Sequence, residues 1–332
     1  MAAAYPWQDT DRRRLLALRG HLPHAVLLTG PRGVGKLALA EAWGKTLLCE
    51  SPTAAGEACD RCEACHWFDS ETHPDWLHLT LEEKEGKDGD TRLATEITVD
   101  QARQATQFAQ LSSFRGGRRI ALIEPADALN RAASNALLKV LEEPPLNTVF
   151  ILVSHQVRRL LATLRSRCHR QDIGLPDPNL ATDWLKAQGV EQAEVRLALA
   201  GGSPLAALAW QEEESWEQRR LVLDALAAPH SLDVAAAGES WARIPSVLWY
   251  GLSYKWLADL LASTLKAPVR FNPDYGKELG KLAAQADLRG LLNLNRKLAE
   301  DGRWVEHPLN RPLQIESWLL DYRALFENKG KA

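Results

Sequence analysis

The chain has 332 residues, 45% of them hydrophobic and 25% charged, with a formal net charge of −3. That composition excludes a disordered or fibrous chain, and the length suits two or three globular domains. The acidic balance excludes a protein that grips nucleic acid through its whole surface, so any such contact is expected to be local or shared with partners.

The N-terminus, Met1-Ala-Ala-Ala-Tyr-Pro-Trp7, has no basic segment followed by an apolar stretch. This predicts no signal peptide and a cytoplasmic location. Val149 to Val153 is the longest uninterrupted aliphatic and aromatic run, and a bilayer span needs about 20 residues. In chain order, Ala25 to Thr29 reads as a buried strand and Lys36 to Leu48 as the helix that follows. Trp76 to Leu79, Ile120 to Ile123 and Thr148 to Val153 read as further strands. Gly86 to Asp90 reads as an exposed loop. Thr98 opens a helix with Gln101 three residues on, the pattern of a reciprocal N-terminal cap. Asn130 to Glu142 is a helix stopped by Pro144-Pro145, and a short helical stretch runs from Arg158 to Leu164. Strands alternating with helices imply a parallel sheet covered on both faces. Leu175-Pro-Asp-Pro178 reads as a linker. Helical periodicity dominates beyond it, with a small group over Ala181 to Ala209. A larger bundle runs from Ser215 and is interrupted near Pro229, Pro268, Pro273 and Pro308.

Gly30-Pro-Arg-Gly-Val-Gly-Lys-Leu37 follows a strand and opens a helix. It matches the loop whose amides cradle phosphates, with Gly30, Gly33 and Gly35 for close approach and Lys36 for the β- and γ-oxygens. The next position should carry a hydroxyl for Mg²⁺, and Leu37 offers none. After Ile120 to Ile123, where two acids would hold the metal and orient water, the chain has Glu124-Pro125. Two lesions in one apparatus argue against hydrolysis at this site and leave nucleotide binding open.

Cys49, Cys59, Cys62 and Cys65 read C-x9-C-x2-C-x2-C. In a reducing compartment, four soft ligands so spaced point to a tetrahedral structural Zn²⁺ with no position left for catalysis. Four free thiols, or a site in which His66 replaces one cysteine, are the other readings. Ser166-Arg-Cys168 by itself is uninformative, since an exposed arginine is usually solvated or salt-bridged. Trp241, Trp249, Trp256 and Trp318 lie in helical context and read as core or subunit-packing residues rather than base-stacking platforms. Arg115-Gly-Gly-Arg-Arg119 reads as a solvated turn that could also touch phosphates.

Taken together these motifs resemble a known family. His24 to Lys36, the four-cysteine insert, Asn135 to Pro145 and Leu160 to Cys168 are similar to bacterial DNA polymerase III clamp-loader subunits of the AAA+ superfamily. Tyr5-Pro-Trp7 and His73-Pro-Asp75 also fit. The match is strong over roughly residues 1 to 170 and weaker around Asn310-Arg311 and Leu319-Leu320. The resemblance implies an α/β plus all-α chain in three domains. These are an AAA+ P-loop parallel-sheet domain over 1–172 with a zinc module at about 49–65, a helical lid over 173–210, and a helical collar over 211–332 that joins a hetero-pentameric ring. It implies that Arg167 acts as a finger on nucleotide held by a neighbour. The implied partners are the motor subunit, the delta subunit, the sliding clamp and primed DNA. Motor relatives carry Thr at the position of Leu37, Asp-Glu at Glu124-Pro125, and a lid arginine after Gly202-Ser203, where this chain has Pro204-Leu205. The implied role is a subunit without ATPase activity of its own inside a nucleotidyltransferase holoenzyme. An active AAA+ motor and a zinc-bearing nucleic-acid-binding protein are the competing readings.

Overall fold

The structure is a computed structural model that describes residues 5–85, 91–114, 116–301 and 310–327. The loop expected at Gly86 to Asp90, Arg115 and Pro308 lie outside the described residues. The chain divides into two compact units, Met1–Leu180 and Ala181–Ala332.

The first unit is built on a sheet of five parallel strands. In chain order it contains α1 (Asp9–Ala17), β1 (Ala25–Thr29), α2 (Lys36–Leu48), α3 (Glu63–Asp69) and β2 (Trp76–Leu79). There follow β3 (Glu83–Glu85), β4 (Thr91–Leu93), α4 (Val99–Gln110), β5 (Arg119–Ile123), α5 (Arg131–Glu142), β6 (Thr148–Ser154), α6 (Ala162–Arg165) and β7 (His169–Asp172). The strand order is β2-β5-β6-β1-β7, and every pairing in this sheet is parallel. β3 and β4 form a separate antiparallel pair that the sequence reading did not anticipate.

The three inner strands are buried along their whole length, which is why they read as continuous apolar runs. Their side chains alternate between two cores. Ala25, Leu27, Ala121, Ile123, Phe150 and Leu152 face one cluster together with α4 and α5. Val26, Leu28, Ile120, Leu122, Ile151 and Val153 face the other, with α1 and α2. β7, His-Arg-Gln-Asp, is an edge strand with no apolar residue and is mostly exposed, so hydrophobic periodicity could not signal it.

Helix ends follow local chemistry. Thr98 and Gln101 cap α4 reciprocally. The Asn130 side chain accepts from the amide of Ala133 at the start of α5. These ends anchor the two helices that α/β packing lays against β5 and β6.

The second unit is helical throughout its described residues. Its elements are α7 (Pro178–Ala187), whose first residues belong to the first unit, α8 (Ala193–Leu199), α9 (Pro204–Leu208), α10 (Glu213–Ala227), α11 (Val234–Trp241), α12 (Ser246–Thr264), α13 (Gly276–Gln285), α14 (Leu288–Asp301) and α15 (Arg311–Ala324). Ala181 to Ala207 form one small apolar cluster, and Leu199 to Phe326 form a larger one. Trp241, Trp249, Trp256 and Trp318 are buried in the larger cluster, which makes them core residues. Tryptophans 241, 249 and 318 lie with ring centroids 6.4 Å apart pairwise. None of the described helices is long and apolar enough to cross a membrane.

Candidate functional site

The carboxyl ends of β1, β5 and β6 lie side by side in the sheet, and ligands of open α/β folds bind at such ends. β1 leads into the glycine-rich loop. A Cβ at Gly30 would run into the backbone carbonyl of Ile173, and one at Gly35 (φ 86°) would meet the ring of Tyr5 and the amide of Gln8. Only glycine fits such positions. The Tyr5–Gln8 segment is fastened to the loop. Trp7 Nε1 donates to the carbonyl of Val34 at 3.0 Å, and Gln8 Nε2 donates to that of Gly35 at 2.7 Å.

Lys36 opens α2 and is buried. Its ammonium donates to the carbonyls of Gly30 at 2.9 Å and Pro31 at 2.6 Å. Burial pulls its pKa down to about 8, against the partial compensation of Asp127 and Glu124. Leu37 packs half-buried against the core beneath the sheet, so the position that would hold a metal hydroxyl is apolar and turned inward.

At the end of β5, Glu124 meets the ring of His155, Oε1 to Nε2 3.2 Å. Asp127 accepts from the backbone amide of His155 at 2.7 Å. Burial alone would raise the Asp127 carboxyl, and that hydrogen bond holds it below the usual range. Pro125 has no acidic group. Asp127 and His155 were not identified from sequence; no spacing rule ties them to Glu124, and only the parallel pairing of β5 with β6 brings them together.

The cysteines converge. The Sγ atoms of Cys49, Cys59, Cys62 and Cys65 all lie within 4.8 Å of one another, and those of Cys49 and Cys62 are 3.9 Å apart. A tetrahedral ion with sulfur ligands at about 2.3 Å needs sulfurs about 3.8 Å apart, so the set fits a metal ion. His66 is not part of it. The amides of Cys59 and Cys62 donate to Cys49 Sγ and Cys59 Sγ, each at 3.3 Å. The Cys59 thiol is pulled down to about 6, first by the amide of Arg61, whereas burial pushes Cys49 and Cys65 up. Donors aimed at sulfur favour the thiolate that a metal requires. α3 starts within this set, and its Phe68 packs against Trp76 of β2 with the rings tilted by 59° and centroids 4.6 Å apart. A cavity of about 470 Å³ lies beside this module, lined by Leu39, Trp43, Glu57 and Asp60 among others, and by none of the glycine-rich loop.

Arg167 follows α6 and is only partly exposed. Its Nη1 donates to the carbonyl of Thr163 at 2.7 Å, and its Nη2 pairs with the carboxylate of Glu142 at the end of α5. The structure does not bring Arg167 together with Lys36 or the cysteines in any described contact. Arg119, from the basic run, is buried and pairs with Asp75 at 3.2 Å, so it is a core anchor rather than a phosphate ligand.

Residues 14–176 match the family model described as DNA polymerase III, delta subunit. A Pseudomonas aeruginosa protein called DNA polymerase III subunit delta' is 37% identical over 98% of this chain and 99% of its own length. The Escherichia coli protein of the same name is 34% identical over 79% of this chain and 76% of its own.

Proposed function

Because this chain belongs to the delta-prime subunits of DNA polymerase III, we propose that it works in a clamp loader without hydrolysing ATP itself. The observation that carries this reading is Leu37, packed against the core where a metal-binding hydroxyl would stand. Neither Leu37 nor Pro125 supplies the oxygen that metal or water would need.

In this reading the chain has three domains, a sheet domain over 1–172, a lid over 173–210 and a collar over 211–332. The separate apolar clusters, Ala181 to Ala207 and Leu199 to Phe326, support a division between lid and collar, with Leu199 of the lid span packing in the larger one. Cys49, Cys59, Cys62 and Cys65 hold a structural Zn²⁺, whose chemistry is to draw four thiolates together, offsetting half of their charge, and to fix the insert between α2 and β2. The collar joins the motor and delta subunits in a hetero-pentameric ring in the cytoplasm. Arg167 reaches nucleotide bound by the adjacent motor subunit, where a guanidinium offsets charge developing on the γ-phosphate. The ring opens the sliding clamp and sets it on primed DNA, within a holoenzyme whose nucleotidyl transfer resides elsewhere.

The test is a reconstituted loader carrying only Arg167→Ala, beside wild type and Arg158→Ala. Loss of clamp- and DNA-stimulated hydrolysis with the ring intact supports the finger. Steady ATP hydrolysis by the isolated chain, abolished by Lys36→Ala, overturns the non-hydrolysing role.

A further inference from the structure

The cavity of about 470 Å³ beside the cysteine set lies between α1, α2 and the insert that carries the cysteines. Leu15, Leu16, Leu39 and Trp43 give it apolar walls. Trp43 is 3% exposed, and its Nε1 is buried without an acceptor, although a buried indole N–H usually has a partner. The volume falls within the roughly 300–1,000 Å³ of small-molecule pockets.

Four carboxylates line the same cavity, those of Glu41, Glu57, Asp60 and Asp69, against two cations, Arg12 and Lys45. Both cations are committed. Arg12 is shared between Glu57 and Asp9, the latter at 3.0 Å, and Lys45 between Asp60 and Asp69, the latter at 2.9 Å. Glu41 on α2 is half-buried and has no hydrogen bond or ion pair among the described residues. Burial, then the charges of Glu124 and Glu71, hold its carboxyl above the usual range, and the charge of the amino terminus offsets this in part. A carboxylate taken from water without a partner is costly.

We propose that this cavity binds an organic ammonium ion with an apolar body, the ammonium against Glu41 and the body against Leu15, Leu16 and Trp43. An ammonium supplies the charge that the lining lacks, and hydrogen bonds between charged groups are the strong ones. A ring or branched chain suits the apolar walls, and a cation near an indole face is itself attracted to it. The occupant is a small molecule, because the space is bounded by three elements of this chain and its volume matches pockets for such ligands. The site is independent of the clamp-loader reading, because none of the glycine-rich loop lines it and its test uses the isolated chain without nucleotide.

The experiment titrates the full-length protein with tyramine near pH 7 at constant ionic strength, followed by calorimetry and by melting temperature. Tyramine carries the ammonium, a ring and a hydroxyl that can accept from the Trp43 N–H. Wild type is expected to saturate at sub-millimolar tyramine and to melt higher with it, as a ligand of the native state requires. Tyrosol, the neutral alcohol counterpart, and ethylamine, which lacks the ring, should each bind about tenfold more weakly or worse. Glu41→Gln should weaken tyramine binding by about tenfold or more, the scale of a lost charged hydrogen bond. Leu16→Trp, which fills the cavity, should abolish binding. Glu96→Gln, which removes an exposed carboxylate outside the cavity, should leave binding unchanged. In ligand-free buffer Glu41→Gln should melt at or above wild type, because burial acts against its charge, which separates a lost ligand from a lost fold. Tyrosol binding as tightly as tyramine, or tyramine binding unchanged by Glu41→Gln and Leu16→Trp, overturns the proposal. Absence of saturation below about ten millimolar tyramine overturns it equally.

Discussion

The guanidinium of Arg167 is held by the carboxylate of Glu142, which lies 25 residues earlier at the end of α5. The proposed finger therefore starts from a tethered position and has to exchange one anion for another. Exposed pairs of this kind are worth about 0.2–1 kcal/mol, so the tether costs little. Glu142→Ala is expected to leave stimulated hydrolysis by the assembled loader within about fivefold of wild type, the range that such a pair allows. Arg167→Ala should cost far more. A finger is worth about 10³ to 10⁵ in rate at its own site, diluted in the assembly by the sites that do not depend on it. Arg167→Lys should rescue poorly, because an ammonium lacks the planar fork. Equal effects of Glu142→Ala and Arg167→Ala would mean that the pair is structural.

Purified protein should contain about one zinc, from its single set of four sulfur ligands. Cys62→Ser should lower that content and loosen α3 and β2, where Phe68 meets Trp76. After chelation, alkylation near neutral pH should modify Cys59 first, since its thiol is drawn down to about 6 while burial pushes Cys65 up. Four thiols that react freely before chelation would exclude the metal.

Replacing Leu37 by Thr should not create turnover. It restores the metal hydroxyl but leaves Pro125 where a water-orienting acid is needed, and Lys36 still faces the carbonyls of Gly30 and Pro31. Phosphate release from Leu37→Thr above the background of Lys36→Ala would show that the second lesion is tolerated.

Lys36 should leave a mark on stability above neutrality. Burial lowers its folded pKa from 10.5 to about 8, so between those values the unfolded chain binds more protons than the folded one. Stability then rises with pH across that window. Urea unfolding of wild type and Lys36→Met should therefore diverge in favour of wild type from about pH 8 to about pH 10. Parallel pH profiles would show that the ammonium is not desolvated in solution.

In the helical unit, Trp256 Nε1 donates to Tyr322 Oη at 2.8 Å, and that hydroxyl donates to the carbonyl of Leu226 at 2.7 Å. Tyr322→Phe keeps the ring but leaves a buried N–H and a buried carbonyl unpaired. A loss of about 1–3 kcal/mol is expected, read as a lower urea midpoint with an unchanged slope. A change below experimental error would mean that the groups find other partners.

The inner strands, α2 and the two capped helices were legible because each is specified locally, by a continuous apolar run, a glycine-rich opening or an Asn or Thr cap. The cysteine set was legible for the same reason, since its ligands lie close in sequence and their side-chain chemistry is distinctive. Polar β7 was not legible, because an edge strand paired on one side needs no hydrophobic pattern. Glu142, Asp127 and His155 were missed because their neighbours are set by strand order and helix packing rather than by spacing. Arg119 illustrates the opposite error, in which a basic run in sequence conceals a side chain committed to Asp75 inside the fold.

The glycine-rich loop also changes what a motif match means. Gly30 is required by the carbonyl of Ile173, and Gly35 by Tyr5 and Gln8; no phosphate enters either requirement. Two of the three glycines of the signature are thus required by protein atoms and would be kept even if the ligand were lost. A search that scores glycine spacing therefore detects the shape of such a loop, whether or not a nucleotide is still its ligand.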